Sequence, residues 1–403
     1  MIHQRFRRAA MAVAFGGLWA LAAWPASSFA ADKLRPEVAR PLNQAQDAYR
    51  VHKYQDALAK IAQAAAVPDK TAYESFMVEE MRGAAAAAAG DSAVAAQAYE
   101  TLLASGRLTG ADEQRTTAAL AGIYFQAKNY PQAIKVAQRY LKSGGAGPDM
   151  RTLLVQSYYL SNDCANVVNQ LKPVVDAQAR AGRASGEADL QLLGTCALRE
   201  HNGATYRGTL EKLVAYYPKQ SYRDDLIAAI RSKPGYAPGL DIDTYRLRRA
   251  TGSLTTADDY MQMTQLAIVA GTTAEGKQVI DQGFSSGVLG HDAGADRERR
   301  LQALAAKRAQ STVDSNGVAI PAFDVAFNQV FAGQAQQGLA TMEALIAKGG
   351  LPHPDEAQLH LGEAYFVAGQ KAKAIQALKA VKGDDGAADL ARLWLLIAVR
   401  EPH

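Results

Sequence analysis

Apolar and small residues recur at helical spacing along most of the chain. In the stretch LAGIYFQAKNYPQAIKVAQRYL (120–141), Leu120 and Tyr124 lie on one side of a first helical segment, and Tyr130, Ala137 and Tyr140 lie on one side of a second. Steps of i+3, i+4 and i+7 are typical of an amphipathic helix that buries one stripe. The pattern therefore predicts two helices joined by a short turn, each with an apolar face that a neighbouring helix must cover.

Two small or apolar residues twelve positions apart mark this helix pair, and the spacing repeats. Because small side chains let two antiparallel helices approach closely, we expect one such contact midway along each pair. The first members from Ala45 to Gly194 are 38, 38, 34 and 39 residues apart, close to the period of about 34 of helix–turn–helix solenoids. The copies are Ala45 with Ala57, Gly83 with Ala95, Ala121 with Ala133, Val155 with Val167, Ala326 with Gly338 and Gly362 with Ala374, and two looser ones, Gly194 with Tyr206 and Ala267 with Val279.

Three stretches resemble the tetratricopeptide-repeat family: residues 120–141, LLGTCALREHNGATYRGTLEKLVAYYP (192–218) and LGEAYFVAGQKAKAIQALKAV (361–381). They are similar to the family pattern of Leu and a small residue, then an aromatic residue, a turn and a mid-helix Ala, and Pro218 stands where the closing proline is expected. The resemblance implies an all-α fold, a right-handed superhelix (solenoid) of antiparallel helix pairs. It also implies a binding scaffold rather than an enzyme.

The repeat pattern predicts four regions. A signal peptide occupies residues 1–30, an N-terminal repeat array residues 31–218, and C-terminal repeats with a capping helix residues 316–403. Residues 219–315 depart from the pattern, since Pro and Gly residues in SKPGYAPGLDIDTY interrupt any preceding helix. We interpret this region as degenerate helix pairs or as an inserted helical subdomain, two alternatives that the pattern leaves open.

The first thirty residues predict export. A basic segment, MIHQRFRR, precedes an apolar run of about 16 residues, shorter than the roughly 20 that span a bilayer. PASSFA then offers Ser28 and Ala30 for a signal peptidase, so we expect cleavage after Ala30, a periplasmic or secreted bacterial protein, and no membrane span in the mature chain. Without the three arginines of this segment the formal charge falls from +4 to 41 − 40 = +1, which gives no indication of nucleic-acid binding.

Two cysteines in an oxidising compartment predict one disulfide. Cys164 falls at the start of the second helix of one unit, and Cys196 falls near the end of the first helix of the next. In an antiparallel stack these two positions should be neighbours. The alternative is two separate buried thiols.

Catalytic and cofactor motifs are not found in the sequence. It contains neither His-Glu-x-x-His, nor Gly-x-Ser-x-Gly, nor a phosphate loop. His353 and His360 lie seven residues apart, but Pro354 places His353 outside the helix, so we predict no metal and no cofactor. An enzyme would have to use the irregular 219–315 region, with Asp241, Asp243 or His291 as candidates.

The remaining candidate site is the inner wall of the array. The position four residues after the small residue should point to the concave side, and it is occupied by Tyr49, Phe125, Tyr159, Leu198 and Phe366. Such a row could hold a protein or peptide partner, or the rings could only pack between adjacent helices. The leading hypothesis is a non-catalytic envelope scaffold, and the second is an accessory of polysaccharide export or outer-membrane assembly. The sequence does not define the oligomeric state.

Overall fold

The computed structural model describes residues 33–291, 293–311 and 319–400. The regular secondary structure of these residues consists of twenty α-helices and one short 3-10 helix, Pro238–Leu240, which confirms the all-α prediction. The predicted signal peptide, residues 1–30, lies outside the described residues. No helix in the described ranges has the length and apolar character needed to cross a membrane.

The described residues form two compact units, divided between Ser157 and Tyr158. The first contains α1 (Pro36–Arg50), α2 (Tyr54–Ala65), α3 (Ala72–Ala89), α4 (Ser92–Ala104), α5 (Gly110–Gln126) and α6 (Tyr130–Lys142), and α7 (Pro148–Leu160) contributes residues to both. The second continues with α8 (Cys164–Arg180), α9 (Glu187–Arg199), α10 (Gly203–Tyr216), α11 (Gln220–Arg231), α12 (Asp241–Ala250), α13 (Ala257–Val269), α14 (Thr273–Ser285), α15 (Ala295–Arg308), α16 (Ala322–Phe331), α17 (Ala335–Lys348), α18 (Pro354–Val367), α19 (Lys371–Ala380) and α20 (Ala387–Arg400). The handedness of the predicted superhelix stays a prediction.

The turns inside the helix pairs share one backbone conformation. A left-handed residue stands two positions before the second helix, and in several turns it is not glycine: His52, Lys128, Asn162 and His201 have φ of 60°, 58°, 59° and 53°. The residue after it often caps the second helix. Asp91, for example, accepts a hydrogen bond from the backbone N–H of Val94 at 3.1 Å, which satisfies one of the free amides of the first turn.

Close approach between paired helices occurs at the small residues. A Cβ on Gly338 of α17 would lie 2.4 Å from the carbonyl oxygen of Ala326 in α16, as the twelve-residue spacing predicts. In the looser pair of Ala267 with Val279 the register of the two helices differs. Gly276 of α14, rather than Val279, meets α13, with its Cβ position 3.2 Å from the Ala267 side chain. Val279 is nevertheless fully buried, because it lies on the same face one turn later.

In the second unit the last helix connects to residues distant in sequence. Trp394 of α20 is 1% exposed. Lys233, just after α11, donates to Asp389 at 2.9 Å, and Arg392 donates to Glu211 of α10 at 3.0 Å. Helix α20 therefore packs against α18 and α19 and also contacts α10, α11 and α12. The region 219–315 is helical over most of its length, and α12, α13, α14 and α15 pack in sequence on one another.

Candidate functional site

The two candidate rings of the first unit pack across the turn of their own helix pair. Tyr49 and Phe125 are half-buried, and their centroids lie 5.4 Å from Tyr54 and 5.8 Å from Tyr130, respectively. In both cases the partner ring is five residues later and opens the second helix of the pair. The predicted binding role of both residues stays a prediction.

The three candidates of the second unit have different surroundings. Tyr159 lies under the guanidinium of Arg199, 5.4 Å from its ring centroid, and Leu198 is 52% exposed. Phe366 instead packs edge-on against Trp394 of α20, with a centroid distance of 5.0 Å. Phe366 and Tyr159 are both half-buried, whereas Leu198 is exposed, and the predicted binding role of all three residues stays a prediction.

A disulfide joins α8, which follows the turn after Tyr159, to α9, which contains Leu198. Cys164 is the first residue of α8, Cys196 lies in α9, and their Cα atoms are 4.8 Å apart. The predicted pairing is confirmed. The bond fixes the turn after α7 against α9, and it therefore restricts the relative motion of Tyr159 and Leu198.

An apolar groove lies in the first unit between α2, α3 and α4. It has a volume of about 520 Å³ and is lined by Leu58, Ile61, Ala62, Ala65, Ala66, Arg82 and Val94. Arg82 pairs with Glu79 of its own helix at 2.6 Å. The short alanine side chains create the groove, since they leave space between helices that larger residues would fill.

Five charged or titratable residues form a buried cluster in the second unit. Its members come from three helices and are Asp243 and Arg246 of α12, Glu275 of α14, and His360 and Glu363 of α18, exposed by 0%, 5%, 1%, 9% and 1%. Charged side chains are rarely buried to this extent unless they are paired. The cluster is therefore an unusual feature of the interior of the second unit.

Arg246 is the centre of the cluster. Its Nη2 donates to Glu275 at 2.8 Å, and its Nη1 donates to Asp243 at 2.6 Å and to Glu363 at 3.3 Å. The guanidinium also lies over the ring of Phe327, 4.5 Å from the centroid. One arginine thus connects α12 to α14 and α18 by bonds that are strong in a dry interior.

Asp243, His360 and Glu363 converge beside the arginine. The nearest ligand atoms of the three residues all lie within 4.8 Å of one another, and His360 Nε2 lies 3.0 Å from Asp243 Oδ1. Among the described residues no hydrogen bond of normal geometry reaches His360 Nε2 or Asp243 Oδ2. Glu363 Oε1 accepts from the indole N–H of Trp394 at 2.8 Å, so the last helix orients this carboxyl group.

The surroundings shift the pKa values of the two carboxyl groups of this triplet in opposite directions. Burial raises the pKa of Glu363 well above its usual value, and the nearby Asp243 raises it further. Burial would also raise the pKa of Asp243, but the charges of His360 and Arg246 outweigh it and lower that pKa. The pKa values of the two carboxyl groups are therefore shifted in opposite directions.

Only part of this cluster is predictable from the sequence. The sequence places His360 beside His353, which is exposed at the start of α18, and it places Asp243 in one irregular region with Asp241 and His291. In the structure His291 is exposed, and Asp241 pairs with Arg231 at 2.9 Å. Asp243 meets His360 instead. The available signal was local: Asp243 with Arg246, and His360 with Glu363, are each spaced i, i+3, which places each pair on one helix face.

Stacked antiparallel helix pairs with capped turns define the chain as a helical-repeat protein. Residues 80–150 and 328–398 match the family model described as tetratricopeptide repeat. Over these two segments the resemblance to the tetratricopeptide-repeat family that the sequence predicts is confirmed. No curated protein matches the chain.

Solved structures of similar fold have low sequence identity to this chain. A tetratricopeptide repeat protein from Parabacteroides merdae is 11% identical, with 79% of this chain and 98% of that one covered and a TM-score of 0.30. The TPR2AB domain of yeast Sti1, in complex with pHSP90, is 12% identical, with coverages of 67% and 98% and a TM-score of 0.32. Naa15/Naa10 bound to HypK-THB is 14% identical, with coverages of 88% and 58% and a TM-score of 0.33.

Proposed function

We propose that the chain is an exported, non-catalytic scaffold that binds a protein partner in the bacterial cell envelope. Tetratricopeptide-repeat proteins are generally non-catalytic scaffolds, which supports the binding role. The export signal of residues 1–30 supports a periplasmic location, with the mature chain starting at Ala31. The disulfide between Cys164 and Cys196 supports an oxidising compartment.

The observation that carries the proposal is the accessible apolar surface around Tyr159 and Leu198. Leu198 is 52% exposed, Leu160 is 47% exposed, and the guanidinium of Arg199 lies on the ring of Tyr159. Aromatic residues and arginine are enriched where proteins bind one another. Covering an exposed leucine side chain contributes up to about 1.5 to 3 kcal/mol, so a partner that covers Leu198 should gain about half of that.

Site-specific crosslinking tests the proposal. A photoreactive amino acid is placed at position 198, and at position 269 as a control, because Val269 is 76% exposed at the end of α13. We expect a defined protein to crosslink from position 198 in living cells and not from position 269. The captured protein is then identified and purified for binding measurements.

Two matched variants measure the contribution of the surface. Leu198→Lys and Val269→Lys both place a cation at an exposed position in the last turn of a helix, where it is tolerated, so both should remain folded. We expect Leu198→Lys to weaken binding of the purified partner at least about tenfold, or 1.4 kcal/mol, and Val269→Lys to leave it unchanged. Equal binding by the two variants would show that this surface is not the binding site.

The location and the process are tested separately. Release by osmotic shock and N-terminal sequencing should give a periplasmic chain that starts at Ala31. Retention in the cytoplasm, or an intact N-terminus, would contradict export. If the captured partner belongs to polysaccharide export or outer-membrane assembly, the finer hypothesis of an accessory to such a machine is supported, and a partner from another process would refute it.

A further inference from the structure

We propose that Asp243, His360 and Glu363 form a binding site for one divalent transition-metal ion, with zinc as the best match. This inference is independent of the protein-binding surface, since the three residues are buried in another part of the second unit. The ion would join α12 to α18 and would have a structural role within the repeats.

The first argument is the spacing of the ligand atoms. Zinc ligands lie about 2.0 to 2.2 Å from the ion, so two ligands of a tetrahedral site are about 3.3 Å apart. His360 Nε2 and Asp243 Oδ1 are 3.0 Å apart, and the third ligand atom, from Glu363, completes a set within 4.8 Å. Small side-chain rotations would bring all three into coordination distance, and His360 and Glu363 already share a helix face.

The second argument is the unsatisfied polar atoms. Asp243 is fully buried, yet its Oδ2 receives no hydrogen bond from the described part of the chain, and the same holds for His360 Nε2. A buried polar atom without a partner costs about 1 to 3 kcal/mol. A cation bound by His360 Nε2 and by Asp243 through Oδ2 would satisfy both atoms, while Asp243 Oδ1 keeps its hydrogen bond from Arg246 at 2.6 Å.

The third argument is charge and donor chemistry. With its carboxyl groups ionised and His360 neutral, as a metal-ligating imidazole must be, the cluster holds Asp243, Glu275 and Glu363 against Arg246, a formal charge of −3 + 1 = −2. A divalent ion would neutralise this charge. One imidazole nitrogen and two carboxylate oxygens favour zinc or a similar transition metal over calcium or magnesium, which prefer oxygen alone.

The groups around the triplet already have the arrangement of a second coordination sphere. Arg246 donates to Asp243 and Glu363, and Trp394 donates to Glu363 at 2.8 Å. Such bonds hold ligating carboxylates in one orientation. Phe327, whose ring centroid lies 5.3 Å from that of His360, covers the imidazole on the apolar side.

Metal titration of the processed chain tests the inference. The protein carries a tag without histidine, is treated with chelator and is titrated with ZnCl2 by calorimetry, with metal content measured by mass spectrometry. We expect one zinc per chain and an increase in melting temperature. His353→Gln is the matched control, since His353 is exposed seven residues away, and it should bind like the parent, whereas His360→Gln should bind at least about 100-fold more weakly.

Each outcome decides the proposal. A folded parent chain that binds no zinc would overturn it. Equal binding by His360→Gln would overturn it as well, because the ion would then lie elsewhere. If His360→Gln does not fold, X-ray absorption on the zinc-loaded parent replaces it: one imidazole and carboxylate oxygens support the site, and any other ligand set overturns it.

Discussion

Gly338 offers a direct test of the helix contact that defines the repeat. A methyl carbon and a carbonyl oxygen rarely approach closer than about 3.3 Å, but the Cβ of an alanine at position 338 would lie 2.4 Å from the oxygen of Ala326. That oxygen belongs to the backbone of α16 and has no side-chain freedom to move away. Gly338→Ala would therefore force α16 and α17 apart by roughly 0.9 Å, the difference between the two distances.

The expected loss follows from two opposing effects. Overpacking of a core contact costs about 1 to 3 kcal/mol, and replacing glycine by alanine within a helix contributes about 0.5 to 1 kcal/mol of stability. We expect Gly338→Ala to lower the free energy of unfolding by about 1 to 2 kcal/mol. Gly208 of α10 is the control, since its Cβ position has no atom within 4 Å, and Gly208→Ala should raise stability by about 0.4 to 1 kcal/mol.

Tryptophan fluorescence in a urea titration measures both variants. Trp19 and Trp24 fall in the predicted signal peptide, so Trp394 is the single tryptophan of the mature chain. It lies in the second unit, as do both glycines, and it should report the unfolding of that unit. If Gly338→Ala is as stable as Gly208→Ala, the close helix contact does not exist in solution and the reasoning is wrong.

Three further outcomes follow from the structure. Replacing both Cys164 and Cys196 by Ser should lower the free energy of unfolding by about 3 to 4 kcal/mol for a loop of 32 residues, and an unchanged urea midpoint would contradict this. Arg246→Met should cost about 3 to 5 kcal/mol because it leaves buried carboxylates without compensation, which circular dichroism during thermal unfolding would detect. Hydrogen bonds from Arg35 lower the pKa of Glu74 to about 2. The stabilisation of the folded state by ionised Glu74 should therefore be complete above about pH 4.3, the pKa of glutamate in an unfolded chain, and be lost as the pH falls toward 2. Glu74→Gln should reduce this loss in urea titrations at acid pH, and an unchanged pH dependence would refute it.

The sequence alone determined the local units of this protein. Helix formation depends on residues three and four positions apart and on the caps and turns between helices, and these are readable in the chain. The twelve-residue spacing therefore predicted the helix pairs, including the contact of Ala326 with Gly338. The pairing of Cys164 with Cys196 was also predictable, because it requires only that neighbouring pairs stack in an antiparallel order.

The tertiary structure decided which faces meet over long distances. Asp243 and His360 are 117 residues apart, and their contact depends on how α12 packs against α18. Phe366 likewise packs on Trp394 because α20 lies across α18, which no periodicity in the sequence specifies. Local hydrogen bonds fix each helix, but the choice of neighbour depends on the burial and charge of whole surfaces. The candidate scaffold was therefore predictable from the sequence, and the buried charged cluster was not.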